Sequence, residues 1–168
     1  VKNEPVKVVT PGSVSEIKVP EKNVLNILVD KTGKVFMSMD NQSQMMDVLS
    51  GMTGQYGVSL SGEQEKKFQK DPMWGVPMDK LATYLSLDGN QMAEEIKNQG
   101  IPTDSVSGKK SEFQNWVEQA REVNTDIKIA IKADEKTPYK IVKKVMSELQ
   151  DMTENRYYLI TSYKKQED

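Results

Sequence analysis

The sequence predicts an α+β domain: a single mixed β-sheet with α-helices packed on one face, plus a helical insertion. Three observations carry that reading. Between residues 126 and 134, Ile127, Ile129, Ile131 and Ala133 alternate with Lys128, Ala130 and Lys132, the period of two of a strand with one covered face and one face near water. Ile141, Val142, Val145, Met146, Leu149 and Met152 then recur at the i, i+3, i+4, i+7 spacing of an amphipathic helix. After a break at Thr153-Glu154-Asn155, residues 157–163 have the aromatic and β-branched content of a second strand.

Residues 1–22 hold Pro5, Pro11, Gly12 and Pro20 among alternating Val and Lys. Proline fixes φ and removes a donor, so this stretch reads as an extended tether or swapped strand rather than a helix. If it pairs with a partner, Val14, Ile17 and Val19 are its candidate contact residues; a simple linker is the alternative. Residues 23–39 read as a hairpin. Leu25, Ile27 and Val29 alternate with Val24, Asn26 and Leu28, Asp30-Lys31-Thr32-Gly33 supplies the turn, and Val35, Met37 and Met39 continue the return strand.

Residues 42–56 carry helical spacing at Met45, Met46, Leu49 and Met52, weakened by Gly51, Gly54 and Gly57. The methionines read as flexible core filler. The insertion spans about residues 57–110. Within it Ser61 and Gln64 have capping-box spacing ahead of a polar helix anchored by Phe68. Leu81, Tyr84 and Leu85 share a helical face, and Asp88 caps a short helix through Met92 and Ile96, closed by Gly100 and Pro102. Trp74, in a proline-flanked loop, either pins the insertion inward or meets a partner. Ser111 caps a helix whose Phe113, Trp116, Val117 and Ala120 face one side. Before the last helix, Thr137 reads as N-cap and Pro138 as the first helical residue.

The composition removes whole classes of chemistry. With no histidine and no cysteine, a Ser-His-Asp hydrolase, a His-ligated metal enzyme, thiol catalysis and disulfides are all excluded. A formal charge of −2 gives no basic field for nucleic acid. Tyr157, Tyr158 and Tyr163 alone do not make a base-stacking surface. Glu63, Glu65, Glu94 and Glu95 lie in polar helical runs, and Asp134-Glu135 in a strand-to-helix turn, where dipole compensation explains them without an acid–base pair. Gly51, Gly54 and Gly57 lack the Lys-Ser/Thr ending of a phosphate loop. No cofactor, metal or catalytic residue is expected. No run approaches the ~20 apolar residues of a membrane helix.

What remains is sheet edges, whose unpaired N–H and C=O groups need protection or accept another strand. The terminal strand is followed only by a charged tail, so Tyr157, Leu159, Thr161 and Tyr163 are candidate partner or dimer residues. The alternative is an internal strand, or an edge blunted by Lys164 and Lys165.

The order Lys132-Ala133-Asp134, Pro138-Tyr139, Ile141-Val142 and Val145-Met146 resembles the final strand–helix–strand of the ExbD/TolR family of biopolymer transport proteins. The phrase NVLNILVDKTGKVFM at 23–37 resembles that family's opening hairpin. The resemblance is strong over 23–39 and 113–161 and weaker through the insertion, where Gly75-Val76-Pro77 and 100–105 look like a longer form of ExbD. It implies a non-enzymatic periplasmic domain, residues 23–168, of a single-pass inner-membrane protein from a Gram-negative bacterium. It further implies a motor driven by the proton motive force, an ExbB-like membrane subunit engaged through an upstream membrane helix, a TonB-like partner, a homodimer and contact with peptidoglycan. The family's proton-handling aspartate lies in that membrane helix and has no counterpart here. The rival readings are a TolR-like envelope-maintenance subunit, a peptidoglycan-acting hydrolase and a free-standing soluble binding protein.

Overall fold

Two strands, β1 (Val24–Val29) and β2 (Val35–Met39), form the antiparallel hairpin expected from the alternation, with Leu25 opposite Met39 and Val29 opposite Val35. The computed structural model describes Val6, Val8 and residues 19–161. Asp30 makes the turn: its Oδ1 accepts the Thr32 and Lys34 N–H groups, each at 2.9 Å, and the Thr32 hydroxyl at 2.7 Å. Gly33 follows at φ +93°, a conformation that excludes most side chains. A β-carbon there would also lie 3.0 Å from Ile141 Cγ1.

Strands β3 (Lys128–Ala133) and β4 (Tyr158–Ile160) complete a sheet of order β2-β1-β3-β4, with β3 parallel to β1 and β4 parallel to β3. Leu25, Ile27, Val29, Ile129, Ile131 and Ala133 share one face and are all buried. Against it lie α1 (Gln42–Tyr56) with Met45, Val48, Leu49 and Met52, α5 (Glu112–Val123) with Phe113, Trp116, Val117 and Ala120, and α6 (Tyr139–Asp151) with Val142, Val145 and Leu149. The α+β class with one mixed sheet is therefore realised.

The opposite face is drier than alternation alone implied. Lys128 is exposed and Lys132 half-buried, but Ala130 is fully buried. Its cross-strand neighbours Asn26 and Tyr158 flank the short side chain on both sides. Phe36 and Leu28, also on this face, are buried too.

The start of α6 differs from expectation as well. Pro138 is its N-cap, and no side chain caps the helix. Thr137 is buried, and its hydroxyl donates to Asp30 O at 2.8 Å with Val29 O at 3.3 Å. The hydroxyl satisfies carbonyls at the end of β1 instead of its own helix, because parallel pairing brings that strand end within reach. The expected box at Ser61–Gln64 is formed, Ser111 caps α5 as expected and does so in a full box with Gln114, and Gly57 closes α1 in the left-handed region at φ +67°.

The insertion contains α2 (Gly62–Lys70), α3 (Leu81–Tyr84) and α4 (Gly89–Glu95). It wraps the outer border of β2. Met37 and Trp74 exchange N–H···O bonds of 2.8 Å in both directions, and Ile101 N–H donates to Val35 O at 2.9 Å. Trp74 is buried, with its ring centroid 5.5 Å from Phe68 and 5.3 Å from Trp116. Of the two readings of this residue, the inward one holds. At the start of α5, Glu112 Oε1 accepts the N–H of Met78 from the insertion at 2.9 Å. Burial raises the Glu112 carboxyl above its usual range, an effect that bond partly offsets.

Candidate functional site

The sheet has two borders, and the chain treats them differently. The β2 border is occupied by the Trp74 and Ile101 backbone bonds described above. The β4 border is last in strand order, and no described strand pairs with its outer side. Its ladder is short, with Tyr158 beside Ala130, Leu159 beside Ile131 and Ile160 beside Lys132. Brevity is one way of limiting uncontrolled pairing at an edge, and among the described residues no backbone bond engages the outer side of Tyr158–Ile160.

Arg121 holds this border in place. Its Nε and Nη2 donate to the two Glu154 carboxylate oxygens at 3.0 and 2.7 Å. Nη1 donates to Thr125 O at 2.9 Å and Ile127 O at 2.7 Å. A planar guanidinium thus ties the end of α5, the start of β3 and the approach to β4 together, a fork geometry a lysine could not reproduce. Beside it a cleft of about 550 Å³ runs along the N-terminal ends of β3 and β4, lined in part by Lys128, Arg156, Tyr157 and Tyr158.

Of the interface candidates, Leu159 lies within β4, Tyr157 immediately before it and Thr161 immediately after it, all half-buried. Thr161 Oγ1 is buried without a hydrogen-bond partner. Val19 is half-buried just before the hairpin. Val14, Ile17 and Tyr163 lie outside the described residues. Within the expected tether, Val6 is buried in the main hydrophobic cluster and Val8 packs against it.

The motif residues sort into a turn and its supports. Ala133, Val142 and Val145 are core, while Met146 and Lys132 are half-buried. Asp134 is buried; its N–H donates to Val29 O at 2.9 Å, and its carboxylate accepts the Lys136 N–H at 2.8 Å. Pro138 and Tyr139 are exposed. The motif therefore locks β3 and α6 onto the opening hairpin and brings no set of reactive groups together.

Sequence reading missed Glu148, which is 2 % exposed. Its carboxylate accepts the Ser111 hydroxyl at 2.5 Å and the Ser105 hydroxyl, and its carbonyl accepts Gln114 Nε2 at 2.9 Å. The available signal was its place between Val145 and Leu149 on the inward arc of α6. Among the described residues no group of three or more acidic side chains is arranged to hold a metal, and no helix is long and apolar enough to cross a membrane.

A family profile described as biopolymer transport protein ExbD/TolR matches residues 1–163. The chain belongs to the ExbD/TolR family. No curated protein and no solved structure gives a significant match. The ExbD/TolR match spans the insertion and the N-terminal segment as well as the β3–α6–β4 unit. ExbD/TolR proteins are non-enzymatic subunits that energise biopolymer transport, and they work with membrane partners of the ExbB/TolQ type.

Proposed function

We propose that this chain is the periplasmic domain of an ExbD-like subunit. Through a membrane helix upstream it joins an ExbB-like subunit in a motor driven by the proton motive force, and it energises a TonB-like protein for nutrient uptake across the outer membrane. The observation that carries this reading is the asymmetry of the sheet: the insertion closes the β2 border and leaves β4 available. Strand addition at such a border draws affinity from backbone bonds, so it accepts a variable extended segment and releases it reversibly. The same border serves a second copy of the chain when the domain is a homodimer. Residues 1–22 act as the tether, fixed to the main core at Val6, with Val14, Ile17 and Val19 available for strand exchange. The long insertion favours the ExbD-like role over the TolR-like one.

The test is a titration of the isotopically labelled chain with a periplasmic fragment of a TonB-like protein, followed by NMR. Amide shifts confined to Tyr158–Ile160 and the N-terminal segment are expected. Silence at both places would remove the strand-docking role.

A further inference from the structure

At the opposite end of β3 from the cleft, one corner of the molecule is basic for no reason that folding supplies. Lys140, Lys143 and Lys144 are exposed on the outward arc of α6, whose inward arc is Val142, Val145 and Leu149. Lys136 precedes that helix by one turn, and Lys31 lies in the hairpin turn packed against Ile141 and bonded to Thr137. Among the described residues two exposed carboxylates accompany these five lysines: Glu135 in the motif turn, and Asp104, which meets Lys144 at 3.3 Å. No salt bridge among the described residues engages Lys31, Lys136, Lys140 or Lys143. The first turn of α6 contains no acidic residue and the helix has no side-chain cap, so Lys140 and the nearby Lys136 stand where the helix dipole disfavours positive charge. Tyr139, 41 % exposed, borders the patch.

We propose that this corner is a docking surface for an anionic phospholipid bilayer. Its cations are all lysines, mobile point charges suited to diffuse phosphates, whereas a site built for a particular carboxylate gains from arginine's fixed fork. An exposed tyrosine beside lysines matches the headgroup region, where an aromatic body and polar tip are both accommodated. Membership of a membrane-associated transport family places a bilayer near this domain. The surface is separate from the β4 border, and its failure would leave strand docking untouched.

The experiment is co-sedimentation of the 168-residue chain with phosphatidylcholine vesicles, with and without roughly one-third phosphatidylglycerol, at about 20 and 150 mM salt. Binding is expected only to the anionic vesicles and to fall at the higher salt. K140Q/K143Q is expected to bind roughly 25-fold more weakly, while K66Q/K70Q on α2, an equal change in net charge, stays within about twofold. Equal binding to both vesicle types, absence of binding at low salt, or equal losses in the two variants would each overturn the proposal. So would amide shifts across residues 136–144 produced by a polyglutamate peptide and not by anionic vesicles, which would assign the corner to an acidic protein segment. Circular dichroism of both variants checks that the fold is intact.

Discussion

Ser111 carries two duties on one hydroxyl. Its oxygen accepts the Gln114 N–H at 3.1 Å as the cap of α5, and its proton goes to the buried Glu148 carboxylate. Ser61 has the same capping box at the start of α2, exposed and without a buried acid. Removing a cap costs about 1 kcal/mol, and leaving a buried carboxyl oxygen short of a donor adds about 1–3 kcal/mol. S111A is therefore expected to lower stability by roughly 3 kcal/mol against about 1 kcal/mol for S61A. Urea unfolding of the two variants measures the difference. Equal losses would mean that Ser105 alone suffices for Glu148.

At the scale of elements, the closure of β2 depends on how near one loop approaches it. A β-carbon at Gly75 would overlap the Phe36 ring and sit 3.0 Å from Val35 O, so only glycine lets the Trp74 backbone reach Met37. G75A is expected to cost about 1–3 kcal/mol by overpacking. It should do so by lifting the loop off the border. Hydrogen exchange would then show the amides of Met37, Trp74 and Ile101 losing protection ahead of those in β1 and β3. Uniform loss across the sheet would instead place the strain in the core.

For the whole molecule, the question is whether the insertion is a separate unit. Phe68 and Trp74 come from the insertion and Trp116 from α5, yet Phe68 and Trp116 stack with planes 5° apart and centroids 6.3 Å apart. Both tryptophans are buried, so the insertion shares the main core. Tryptophan fluorescence and far-UV circular dichroism are expected to report one coincident unfolding transition. An earlier fluorescence transition would show that the insertion opens independently.

Periodicity was enough to place the strands at 24–29, 35–39 and 128–133 and the helices around Trp116 and Val145, and side-chain chemistry the capping box at Ser61 and the cap at Ser111, because those signals are local. The absence of histidine and cysteine likewise ruled out thiol and imidazole chemistry without a fold. Tertiary structure alone decided the rest. Thr137 left its helix for the carbonyls of β1, Glu148 entered the core to meet Ser105 and Ser111, and Trp74 turned inward. Each outcome joins residues more than 30 positions apart, or commits a polar group that could as well have faced water. The same reason governs the sheet borders: a strand's sequence reports its pleat, but only the arrival of another segment beside it determines whether its backbone is already satisfied.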